Sequence, residues 1–222
     1  MTNTQLVEET IQFVKETLAN AEGGHDWFHI QRVFNNTLLI AKDEKVDILV
    51  VSLGALLHDI ADAKFHNGDE TVGPKLARGF LENLTVNKKT IDHVVKIIEN
   101  ISFKSSLKDH TDQHKKFSSK ELEVLQDADR LDAIGAIGIA RAFNYGGFKN
   151  RQLHNPEVAP NPNMTKEEYK KSTGPTINHF YEKLLLLKDK MNTKAGIKLA
   201  ENRHQYMLDY LAQFDKEWHG LS

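Results

Sequence analysis

Residues 51–60 read Val51-Ser52-Leu53-Gly54-Ala55-Leu56-Leu57-His58-Asp59-Ile60, an apolar run that ends in an imidazole and a carboxylate. The run shows helical periodicity and no strand-like alternation. On a helix over 46–59, His58 stands above Val51, Gly54 and Ala55 at i−7, i−4 and i−3, so it shares their inward face. Asp59 follows directly. A carboxylate in such a place is costly unless it is paired or coordinates a metal.

The same oddity recurs on both sides of this run. In the segment 26–42, His29 heads a stripe that continues through Val33, Asn36 and Ile40. In 118–131, Asp129 stands above Leu122 and Leu125, and its stripe continues to Ala133 and Ala136. Three helices therefore aim His or Asp at the interior, and one ion would satisfy all of them. Two imidazoles with two carboxylates form a nitrogen/oxygen donor set suited to Mn, Fe, Co, Ni or Zn, and the carboxylates also suit Mg. Each residue alone has a plainer reading: a hydrogen-bonded core histidine, a histidine at a helix C-terminus, or a solvated acidic face in Asp127, Asp129 and Asp132. As an ordered set these plainer readings lose.

The surrounding chain reads as all-α. Helical segments fall at 3–20, 26–42, 46–59, 70–83, 88–101, 118–131, 132–143, 165–188 and 194–217, and no alternating strand is convincing. Ser118-x-x-Glu121 and Thr165-x-x-Glu168 fit capping boxes. The stretch 144–164, rich in Asn, Gly and Pro, reads as a long surface loop in which Gly146-Gly147 supplies flexibility. A second irregular stretch, 102–117, carries Lys104, Lys108, His110, His114, Lys115 and Lys116. The last two segments form a helical hairpin whose Leu184–Leu187 face packs within the monomer or against a second copy in a homodimer.

Composition narrows the chemistry. With 222 residues, 40% hydrophobic and 27% charged, the chain is an ordinary globular protein with ample core. A net charge of −2 provides no global field for a nucleic-acid polymer or an acidic membrane. There is no cysteine, so disulfides, thiolate metal sites and cysteine nucleophiles are excluded together. Neither a signal peptide nor a membrane-length apolar run is present in the sequence, and a cytoplasmic location is the expectation. No Walker-type loop and no dinucleotide fingerprint occurs.

Gly24-His25-Asp26-x-x-His29-x-x-Arg32-Val33, Leu56-Leu57-His58-Asp59-Ile60 and Asp127-Ala128-Asp129-Arg130-Leu131 together resemble the HD-domain phosphohydrolase superfamily, whose pattern is His … His-Asp … Asp. The match covers about 20–145. It implies a single HD-type domain over 1–222: a helical bundle with the hairpin, 165–218, packed on it. It implies one divalent metal ion, Mn favoured, held by His29, His58, Asp59 and Asp129. Asp127 rivals Asp129, but residues two apart on a helix point about 200° apart, and Asp129 shares the face of Leu122 and Leu125. Asp132 is a candidate to orient a ligating histidine.

By the same resemblance Asp62 is a catalytic base or positions the nucleophile, and His25 serves the phosphate or the leaving group. Lys64, Lys104 and Arg32 are candidate phosphate contacts. The implied reaction is hydrolysis of a phosphoester or phosphoanhydride, with a nucleotide as the small-molecule substrate and monophosphate plus pyrophosphate as one outcome. Two alternatives stand beside it: a non-catalytic HD module that senses nucleotides, and a two-iron oxygenase drawing extra ligands from His66, His93, His110 or His114.

Overall fold

The computed structural model describes residues 1–19, 21, 26–61, 69–101, 117–165, 168 and 171–221. Among them all regular structure is helical: α1 (Asn3–Thr17), α2 (Trp27–Ala41), α3 (Ile48–Leu57), α4 (Val72–Asn83), α5 (Lys88–Asn100), α6 (Lys120–Asp132), α7 (Gly135–Phe148), α8 (Asn178–Glu182), a 3-10 helix (Leu184–Lys190) and α9 (Lys194–Trp218). The backbone groups into two compact units, Met1–Asp129 and Arg130–Ser222. The division lies inside α6.

In the first unit α3 is the centre. Residues Val50 to Leu57 are all buried, and α1, α2 and α5 pack around this helix. That is why its sequence is apolar on every side: a helix enclosed all round has no face to make polar. Its start is fixed by Asp47, whose carboxylate accepts from the amides of Leu49 and Val50. Glu121 in turn accepts from the Asp47 amide at 3.1 Å, which joins the beginnings of α3 and α6. Glu121 is thus no part of a capping box. Ser119, one residue beyond the expected Ser118, receives the Leu122 amide instead.

Gly54 sets how closely α6 lies on α3. A Cβ built there would stand 2.7 Å from Leu125 Cδ2, and Leu125 is fully buried. Gly54→Val is expected to cost about 1–3 kcal/mol by overpacking, well above the few tenths by which the two residues differ in helix propensity. Urea denaturation of the metal-free protein measures it; an unchanged midpoint would mean that Leu125 turns aside freely.

The second unit departs most from the sequence reading. No helix runs through 165–188. The Thr165/Glu168 box is made, with Thr165 N–H donating to Glu168 at 2.7 Å and Glu168 N–H to Thr165 Oγ1 at 3.2 Å. However, the backbone is non-helical at 172–175. Pro175 lacks an amide hydrogen and disfavours helix at Gly174, so the periodic pattern is cut. Beyond this break the chain forms the short α8 and then the 3-10 helix. At the other end α7 runs on to Phe148, so Gly146-Gly147 lies in a helical turn and not in a loop. Asp132 closes α6 and Gly135, at φ +74°, turns the chain into α7. The stripe of Asp129 therefore stops before Ala136.

Along α9, Tyr210, Phe214 and Trp218 recur every four residues; the Tyr210 ring is tilted against Phe214 at 6.2 Å, and Phe214 stacks on Trp218 at 6.0 Å. Phe143 and Phe180 close on Tyr210 at 6.1 and 6.2 Å. Beside this cluster, burial pushes the His179 imidazole down to about 4, with Lys183 and Arg151 adding to the effect. The native state therefore holds His179 neutral, while the unfolded chain binds a proton below about pH 6.5. Stability from this residue is complete above pH 6.5 and is lost as the pH falls to 4, by about 3 kcal/mol at 1.36 kcal/mol per unit. His179→Gln should flatten that acid limb in a series of denaturation curves; an identical slope in the variant would assign it elsewhere.

Candidate metal centre

Asp26 caps α2 by accepting the His29 amide at 3.0 Å, which sets His29 in the first turn. The stripe below it is inward as the sequence indicates: His29, Val33, Asn36 and Ile40 are all buried. α3 ends at Leu57, and His58 is its C-cap. The ring of His58 folds back so that Nδ1 lies 2.8 Å from the Ala55 carbonyl. A carbonyl can only accept, so Nδ1 carries the hydrogen and Nε2 keeps its lone pair. This backbone contact does for His58 what a carboxylate does for many metal-binding histidines: it fixes the tautomer and aims the free nitrogen.

The donor atoms of His29, His58 and Asp59 all lie within 4.8 Å of one another. The two imidazole centroids are 5.4 Å apart and the rings are inclined at 66°. Asp129 approaches from α6, with Oδ1 3.7 Å from His29 Nε2. That is too long for a hydrogen bond and short enough for two donors on one ion, which at about 2.1 Å each are separated by at most about 4.2 Å. Asp129 is not within the mutual 4.8 Å cluster; it joins through His29. Asp59 is half-buried, and the Asp129 side chain is 42% exposed, so the centre is open to solvent on the carboxylate side. A nitrogen/oxygen set with one histidine tautomer already fixed fits a divalent ion.

The remaining candidates divide. Asp127 and Asp129 do point apart on α6, but the one turned fully inward is Asp127 and not Asp129, which the sequence placed on the inward stripe of Leu122 and Leu125 and whose side chain is 42% exposed near the end of the helix. Asp132, also buried, is engaged by Arg141 at 2.5 Å. Arg32 is half-buried on α2, one turn beyond His29. His25, Asp62, Lys64 and Lys104 lie outside the described residues, as do His66, His110 and His114. His93 sits against Ser119 and Glu121 at the start of α6.

One contact that bears on the site has only a faint trace in the sequence. The Asn36 amide donates to the Ala128 carbonyl at 3.3 Å, tying α2 to α6 directly before Asp129. The trace is a polar residue on an otherwise apolar stripe, which by itself names no partner.

Residues 27–134 match the HD domain family. The chain is 35% identical to YpgQ of Bacillus subtilis strain 168, over 100% of this chain and 98% of that protein. It also resembles the crystal structure of an HD-superfamily hydrolase from Bacillus thuringiensis, at 41% identity and a TM-score of 0.78, covering 98% and 99% of the two chains. A structure of B. subtilis YpgQ in complex with ADP matches with 34% identity and a TM-score of 0.76, over 98% of this chain and 97% of that one. The chain belongs to the HD-domain family. HD domains bind divalent metals, and the His29–His58–Asp59 cluster lies inside the matched residues. Among the described residues no helix is long and apolar enough to cross a membrane.

Proposed function

We propose that this protein is a metal-dependent phosphohydrolase that cleaves a nucleoside or deoxynucleoside triphosphate to the monophosphate and pyrophosphate. The observation that carries the reading is the donor cluster of His29, His58 and Asp59 with Asp129 3.7 Å from His29. The nucleotide is supported by the relative solved with ADP.

In this reading His29, His58, Asp59 and Asp129 hold one divalent ion, with Mn favoured. When bound, such an ion supplies a water of lowered pKa and neutralises charge on a phosphoryl oxygen. The protein's own residues do the rest. Asp62 accepts the proton of the attacking water, Arg32, Lys64 and Lys104 meet the charge that spreads over the phosphoryl oxygens, and His25 serves the leaving group. Water attacks the α-phosphorus in line, the bond to the bridging oxygen breaks, and pyrophosphate leaves with its electron pair. No covalent intermediate is required, in keeping with a chain that has no cysteine.

The test is phosphate and pyrophosphate release from a nucleotide panel, with Mn²⁺, Co²⁺, Ni²⁺ or Mg²⁺ restored to chelator-treated protein. Pyrophosphate with monophosphate is the expected product pair; orthophosphate alone would move the cleaved bond to the outer phosphate, and silence across the panel would remove nucleotides as substrates. Asp62→Ala should keep the ion and lose roughly 10²–10⁴-fold in rate, the usual contribution of a positioned base. Elemental analysis separates the roles, because loss of the ion with Asp62 would make that residue a ligand.

A further inference from the structure

Helix α5 begins against its own dipole. Asn87 caps it, and the first turn carries Lys88 and Lys89 with no acidic residue, where the positive end of a helix disfavours cations. The one nearby carboxylate on α5, Asp92, is already engaged: Lys88 Nζ lies 2.6 Å from it and Arg78 2.9 Å. Those two partners hold its carboxyl below the usual range. The Lys88–Asp92 pair offsets part of this at one lysine, and Lys89 adds a second cation to the same first turn.

The broken preference coincides with a cavity. Lys88, Lys89, Asp92, His93, Lys96, Phe117 and Ser119 line a basin of about 490 Å³, in which the Asp92 carboxylate is offset by Lys88 and Arg78. Phe117 stands at its wall, with the His93 ring edge-on at 5.8 Å and Lys96 Nζ 5.8 Å from its centroid. His93 Nε2 lies 3.0 Å from Ser119 Oγ, so a hydroxyl and an imidazole also face the basin. Three ammonium groups, hydrogen-bonding groups and an aromatic wall are the components that hold phosphates with a flat ring beside them. The basin is separate from the metal centre. Ser119 stands at the start of α6 and Asp129 near its end, about 15 Å along the axis at 1.5 Å per residue.

We propose that this basin is a second site, binding a polyphosphate-bearing ligand through Lys88, Lys89 and Lys96. It goes beyond the hydrolytic reading and does not depend on it. The test is calorimetric titration of the full chain, chelator-treated so that nothing is hydrolysed, with inorganic tripolyphosphate and with ATP. Saturable binding that weakens steeply with salt is expected, and Lys88→Gln/Lys89→Gln/Lys96→Gln should weaken it at least tenfold. These lysines are exposed, so the variant should keep its helical circular dichroism. ATP binding tighter than tripolyphosphate, with the difference lost in Phe117→Ala, would make the ligand a nucleotide; equal affinities would make it the phosphate chain alone. No saturable binding, or binding unchanged in the triple-lysine variant, would overturn the proposal.

Discussion

Asp59→Ala is expected to release the metal and abolish hydrolysis while leaving a folded helical protein. Asp59 follows the C-cap of α3 and is half-buried, so its truncation opens no cavity among the fully buried Val51, Leu53 and Leu56. The cost falls on the ion instead. His29 and His58 are neutral donors when they ligate, and Asp59 is the one anionic member of the close cluster. An ion bound at such a site is worth several kcal/mol to the transition state, and each 1.36 kcal/mol is tenfold, so the rate should fall roughly 10³-fold or more. Metal content after dialysis and circular dichroism are read on the same sample. Global unfolding of the variant would make Asp59 a structural residue, and retention of the ion would take it out of the ligand set.

The second large effect lies in the second unit and concerns stability. Arg141 donates to the Asp132 carboxylate at 2.5 Å and to the Asp132 carbonyl at 3.2 Å, and the Asp132 side chain is 1% exposed. Arg203 supplies a further positive charge there and donates to the Leu131 carbonyl; its own pKa is lowered by burial and raised in part by Asp132. Arg141→Met removes this partner from a buried carboxylate. Breaking a buried pair costs about 3–5 kcal/mol. Because Arg141 is 31% exposed and Arg203 remains, about 3 kcal/mol is expected in chemical denaturation. Adding Asp132→Asn to the same chain should recover part of the loss, since the uncompensated charge is then gone. A loss under about 0.5 kcal/mol would mean that solvent already screens the pair.

At the metal-centre candidates the sequence signal was a mismatch between residue type and helical stripe, which burial matches at His29 and not at the 42% exposed Asp129. An imidazole on the stripe of Val33 and Ile40, or one crowning Val51 and Gly54, conflicts with its surroundings, and the conflict can be read from helical spacing alone. The first unit's helices were equally legible, since α2 and α5 carry amphipathic periodicity behind Asp26 and Asn87 caps and α3 is an apolar run behind the Asp47 cap. Asp132 was harder. Its spacing after Asp129 suggested a role toward the metal, while its ion pair with Arg141 on the next helix was not legible, because that contact depends on the turn at Gly135. The 165–188 segment misled for a local reason. A real capping box at Thr165 and an apolar run at Leu184 were joined across Gly174-Pro175, where the missing amide of proline ends helical geometry. Ser119 taking the cap in place of Ser118 is a smaller case of the same kind, because two adjacent hydroxyls offer a cap equally until tertiary contacts draw Glu121 toward Asp47.

The most direct measurement is hydrolysis of a nucleoside triphosphate by chelator-treated protein as Mn²⁺ is restored, with bound metal determined on the same samples. Activity should be absent without the ion, rise in proportion to occupancy and level off at one ion per chain. Full activity in the presence of chelator, or one ion bound with no product formed from any nucleotide, would contradict the assignment of His29, His58, Asp59 and Asp129 as a hydrolytic metal centre.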